Sequence, residues 1–162
     1  DLEEDDKNRF WRMAKRLFLK EVMFEFNKPI VLQGELIGSG IEGNNEKLKD
    51  LDFYVFDILD IENQRYYDPI TRKAILYELN KIIQKIPDNI SKRLINHVPV
   101  IGYGFETLGK FKSLDELLAY AEGQSLNPQS KREGIVFKSM DRINNEIVSF
   151  KVINNVYLLN QR

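Results

Sequence analysis

Cysteine is absent from the 162 residues, and histidine occurs once, at His97. Without thiols there is no disulfide framework, no thiolate nucleophile and no cysteine-ligated zinc. One imidazole cannot supply the histidine pairs that most zinc enzymes use. Long apolar runs are missing too: none reaches the roughly 18 residues needed to cross a bilayer. The first residues, Asp1-Leu2-Glu3-Glu4-Asp5-Asp6, are acidic where a secretory signal carries positive charge. The expectation from these absences is a soluble, cytoplasmic protein with no membrane partner. Nor is there an excess of charge of one sign, since 24 Lys and Arg stand against 25 Asp and Glu. A generally basic surface for nucleic acid is thereby excluded, and any polyanion site has to be local.

What is present suffices for one core. With 43% hydrophobic residues in 162, the chain is expected to form a single domain over residues 1–162. Phe10, Ala14, Leu17, Leu19, Val22 and Phe26 recur at helical spacing and predict an amphipathic helix over residues 8–26. Its basic residues Arg9, Arg12, Lys15, Arg16 and Lys20 read as a solvated face. IVLQGELIG predicts a strand, GSGIEGNNEKLKD a loop, and DFYVFDILDI a second strand. Asp68-Pro69 turns the chain into a second helix, TRKAILYELNKIIQKI. VPVIGYGFE reads as one or two short strands broken by Gly102 and Gly104. Ser113 and Glu116 form a capping box for a helix closed by Gly123. GIVFKSM and EIVSFKVIN flank the turn-prone stretch Asp141 to Asn145 and predict an antiparallel hairpin. Strands and helices without a repeating strand-helix-strand rhythm predict an α+β fold with mainly antiparallel sheets.

Three chemistries compete for these residues. Gly38-Ser39-Gly40-Ile41-Glu42-Gly43 spells GxGxxG, but that fingerprint needs a helix after its third glycine, and NNEKLKDLD is too short and polar to be one. A flexible or lid-like loop is the better reading. Lys131, in Lys131-Arg132-Glu133-Gly134, has the form of a lysine nucleophile whose pKa a neighbouring cation would lower. Little more than thirty residues follow it, too few to complete such a site, so it reads as the end of the polar loop QSLNPQSK. The third reading takes GELIG, FYVFDI, EGIVFKS and SFKVINN as an ordered set. A strand-end glutamate can accept from ribose hydroxyls, an aromatic ring can stack on a purine, a second glutamate can hold a divalent metal, and paired lysines can offset phosphate charge.

At these four stretches the chain resembles the nick-sealing RNA ligases of the covalent nucleotidyltransferase superfamily. QGELIGSGIEGN is similar to their ribose-contacting segment, and FYVFDI, EGIVFK and SFK resemble their motifs III, IV and V. The wording is nearest to the bacterial subgroup with an OB domain ahead of the catalytic domain. The resemblance runs over roughly residues 8 to 159. It implies a nucleotidyltransferase (ligase adenylylation) domain in which Glu35 contacts the ribose, Phe56 stacks on adenine and Asp57 is an essential acid of open role. It further implies that Glu133 serves metal-assisted transfer, while Lys138 and Lys151 contact the phosphates or the reacting lysine. The implied cofactors are ATP, held covalently as AMP during turnover, and Mg2+ or Mn2+. The implied partner is RNA or a nicked duplex containing RNA.

Two departures from the family pattern stand out. Ile153 occupies the place where some relatives carry a second lysine after Lys151. Residues 1 to 34 hold no Lys-x-Asp-Gly sequence, the family's motif I. The expectation is therefore a fragment whose nucleophile lies upstream of Asp1 and which alone does not self-adenylylate, or else a non-catalytic nucleotide- or RNA-binding module. Strict alternation also sets Glu133 and Lys138 on opposite faces of one strand, so a kink or bulge at Gly134 is expected.

Overall fold

The computed structural model describes residues 5–41, 44, 46–87, 93–104 and 106–160. The chain forms two compact units, Asp1–Ile37 with Asp50–Val98, and Gly38–Lys49 with Pro99–Arg162.

In the first unit, Asn8 caps helix α1 (Arg9–Arg16) by accepting from the Phe10 amide at 2.8 Å. The helix expected over residues 8–26 is broken here. Phe18 adopts the left-handed conformation, φ 51°, and a second helix, α2 (Leu19–Phe26), starts beyond it. Met13 and Leu17 before the break and Val22 after it are buried in the same core. The apolar spacing therefore runs on through a turn that re-aims the chain.

Strands β1 (Ile30–Ile37) and β2 (Asp52–Asp60) pair antiparallel along their whole length. On the other edge of β2, β3 (Arg65–Tyr66) pairs antiparallel and β4 (Asn96–His97) parallel. Helix α3 (Pro69–Lys85) starts two residues before the expected stretch. It is capped by Asp68, has Pro69 in its first turn, and buries Leu76, Leu79 and Ile83 against Val55 and Ile58 of the sheet. No described residue of 98–104 is in a strand; the strand of this region is β4, just ahead of it.

The second unit is built on α4 (Glu106–Gly109), α5 (Leu114–Ala121), the hairpin β5 (Gly134–Lys138) and β6 (Ser149–Ile153), and α6 (Asn155–Asn160). The expected capping box is present in shifted form. Ser113 Oγ accepts from the Glu116 amide, and the Glu116 carboxylate accepts from Lys112 N rather than from the cap residue. Asn144 and Asn145, both at positive φ, turn the hairpin between bridged Ile143 and Glu146. Ala121, Ile135, Phe137 and Val152 form this unit's core, and the Phe137 and Phe150 rings stack 5.1 Å apart across the strands. None of the described residues between β1 and β2 is helical, and Gly43, third glycine of the GxGxxG sequence, lies outside them. The architecture is α+β, mixed in its larger sheet and antiparallel in its smaller.

Candidate functional site

The face of the β1–β2 pair turned from the core follows from register. Ile30, Leu32, Gly34 and Leu36 stand opposite Asp60, Ile58, Val55 and Phe53, and most of these line the core. The alternate positions, Gln33 opposite Asp57 and Glu35 opposite Tyr54, therefore share the other face. The register shifts between Gln33 and Gly34, which leaves Phe56 as an extra residue in β2. Glu35, Phe56 and Asp57, drawn from two separate sequence stretches, thus come together on one surface. A Cβ on Gly34 would stand 2.4 Å from Tyr54 O and 2.7 Å from the Phe53 ring, so only glycine lets the strands close at the bulge.

Asp57 is held from behind. Arg72 of α3, with a side chain 6% exposed, donates from Nη1 to Asp57 Oδ1 at 3.0 Å. Its Nε donates to His97 Nε2 at 3.1 Å. Guanidinium nitrogens only donate, so Nε2 is the acceptor and the ring is the neutral Nδ1–H tautomer. That proton goes to Val98 O, 2.6 Å away.

The second unit presents its own face. Ile135 and Phe137 point to the core, which sends Gly134, Val136 and Lys138 to the opposite side with Ser149, Lys151 and Ile153. Glu133 sits in a bend just before β5, and its carboxylate pairs with the Lys151 ammonium. The bulge expected at Gly134 is not there: the β5–β6 register runs without a shift. The bend at Glu133 does the re-aiming instead, because a residue outside the strand is not bound by its alternation. Gly134 has a different task. A Cβ there would lie 2.2 Å from Val152 O, and its absence lets β5 close on β6. Glu133, Lys138 and Lys151 thereby share one side of the hairpin. The Glu133–Lys151 pair is about half exposed on both partners and is worth little in water, so an incoming phosphate can compete for the ammonium.

Sequence reading passed over three residues that position these groups. Asn154 is fully buried, takes its amide proton to Glu133 O at 2.8 Å, and donates from Nδ2 to Arg132 O at 2.9 Å. Its Oδ1 caps α6 at the Val156 amide, 2.9 Å away. An asparagine between a strand and NVYLL is a helix-cap signal and would have revealed it. Arg72 and His97 carry no such local signal. Lys131 is exposed, and neighbouring Arg132 lies across Gly123, donating from Nε to Ala121 O at 3.0 Å. Arg132 is thus tied to the end of α5.

Among the described residues no group of three or more His, Cys, Asp or Glu forms a metal cage. A lone carboxylate such as Glu133 fits a divalent cation that takes its remaining oxygens from nucleotide phosphates and water, as Mg2+ commonly does.

Comparison with known proteins assigns the class. The family model for RNA ligase matches residues 2–153, and the chain belongs to the RNA ligase family. Its solved relatives include Naegleria gruberi RNA ligase with PPi, at 38% identity and a TM-score of 0.80 over 98% of this chain. They also include two point mutants of that ligase with ATP and Mn, at 38% identity and TM-scores of 0.80 and 0.81. The chain spans 42% of that ligase's length. No curated protein matches it.

Proposed function

We propose that this chain is the nucleotide-handling part of an ATP-dependent RNA ligase, one that seals 3'-hydroxyl and 5'-phosphate RNA ends through enzyme-AMP and RNA-adenylate intermediates. The observation that carries the reading is that Glu133, Lys138 and Lys151, read separately as motifs IV and V, share one side of the β5–β6 hairpin. In this reading Glu35 accepts from the ribose and Phe56 stacks on the adenine. Lys138 and Lys151 neutralise phosphate charge, and Glu133 holds Mg2+ or Mn2+ through oxygen. The cation, when bound, offsets charge on the phosphates undergoing substitution. The solved Naegleria relatives with ATP or AMP and Mn support the same ligands. We place the chain in the subgroup with an OB domain on its motif wording alone.

No lysine among the 162 residues is followed by x-Asp-Gly or x-His-Gly. The chain by itself is therefore expected to bind ATP without forming a lysine adduct, and in that state it is a non-catalytic nucleotide module. The test combines two measurements. ATP with Mg2+ should raise the melting temperature by mass action, and α-labelled ATP with metal should leave no covalent label. An unchanged melting temperature sinks the nucleotide reading. Covalent label that disappears in Lys131→Ala would make Lys131 the nucleophile and overturn its assignment to the loop.

A further inference from the structure

The acid of FYVFDI has no task yet, and the first unit supplies one. Val55 and Ile58 are both fully buried in one core, although three residues apart. Strict alternation would put them on opposite faces. The extra residue at Phe56 restores the parity and turns Phe56 and Asp57 together to the other side. Phe56 has no place in the β1–β2 register, and bonds on either side of it bear on where it points.

A closed ring of bonds spans it. Asp57, just after Phe56, binds Arg72 at 3.0 Å; Arg72 binds His97 at 3.1 Å; and His97 binds Val98 O at 2.6 Å. Val98 N then donates to Val55 O at 2.9 Å, on the residue just before Phe56. Both flanks of the bulge are thus tied to one buried guanidinium. Asp57 accepts here from a buried guanidinium, an arrangement that suits an anchor.

We propose that Asp57 is a positioning residue for Phe56, and that Arg72 and His97 are further positioning residues acting through it, so that the Phe56 ring is held flat for a purine base. The inference rests on the nucleotide reading above and deepens it. Asp57 works on the base end of the ligand and not on its phosphates or cation.

The base and phosphate ends can be separated by titrating the chain with adenosine, which has no phosphate, and in parallel with ATP and Mg2+. Asp57→Asn and His97→Gln, with Arg72→Lys as a charge-keeping third variant, should each weaken both ligands by the same factor. About 5- to 10-fold is expected, the share a well-placed aromatic stack contributes. Phe56→Ala should weaken adenosine at least as much. Folding of each variant is checked by circular dichroism and by the fluorescence of Trp11, the sole tryptophan. Because His97 is the sole histidine, its 15N imidazole signals report the ring directly. The Nδ1–H tautomer should be seen in the parent chain, and a ring protonated at Nε2 there would overturn the role given to His97. Folded Asp57→Asn and His97→Gln variants that keep full adenosine affinity while losing ATP would place Asp57 at the phosphates and overturn the inference alone. A parent chain that binds neither ligand overturns the nucleotide reading and this inference with it.

Discussion

At the scale of single residues, the glycines of the two motif strands are fixed by distance. Gly134 stands where a Cβ would lie 2.2 Å from a backbone oxygen and 3.0 Å from Ile153 Cα, neither of which can move aside cheaply. Gly134→Ala should therefore cost about 1–3 kcal/mol by overpacking. It should also shift the adjacent Glu133 away from Lys151. Urea denaturation measures the first effect, and a parent-like midpoint would refute the packing argument. The motif residues themselves were legible because their chemistry is written in their type and order. Their supports were less so. Arg72 meets Asp57 across 15 residues and His97 meets Arg72 across 25, and no local pattern in TRKAIL or INHVPV marks them. Charge gives no hint either, because Arg72 offers the sequence reader one more solvated helix cation until its burial is seen.

At the scale of elements, periodicity did well where one helix met one core and failed where a turn interrupted it. The pattern over residues 8–26 is continuous, yet Phe18 breaks the helix in a conformation that a bulky residue seldom adopts. Asp68 is a different case: Asp68-Pro69, read from the sequence as a turn, is the start of α3 itself, with Asp68 as its cap. Burial pushes the Asp68 carboxyl up, but the hydrogen bond from the Thr71 hydroxyl and those from the Thr71 and Ile70 amides outweigh it and hold its pKa below the ordinary value. A carboxyl depressed by folding stabilises at pH above its unfolded value. That contribution is lost as the pH falls through the folded value. Asp68→Ala should therefore cost about 0.5–2 kcal/mol near neutral pH. The difference from the parent should shrink as the pH drops below the carboxylate range. Denaturation midpoints of both proteins across that range check it, and a gap that widens in acid would contradict the sign.

At the scale of the whole molecule, the chain changes unit in the middle of what the sequence presents as one β-β connection. The polar stretch after β1 looks like a free loop because its glycines, asparagines and lysines have no apolar partner to announce. Its described residues nevertheless belong with the second unit, and one bond shows how. Glu46 accepts from the Asn127 amide at 2.9 Å across 81 residues. Asn127 is itself held in a turn by Ser125 and Ser130, so the acceptor meets a fixed donor. Removing the carboxylate should free the segment without touching the core that surrounds α3. For Glu46→Ala, trypsin cleavage after Lys47 and Lys49 should accelerate about 3- to 10-fold, since a charged hydrogen bond of about 1 kcal/mol or somewhat more sets the population of the open form. Thermal unfolding followed by Trp11, which lies in the first unit, should stay at the parent temperature. Peptide mapping of early digests locates the cuts. Cleavage at the parent rate would mean that the backbone around Asn44, whose side chain bonds both N and O of Leu48, orders the segment without help from Glu46.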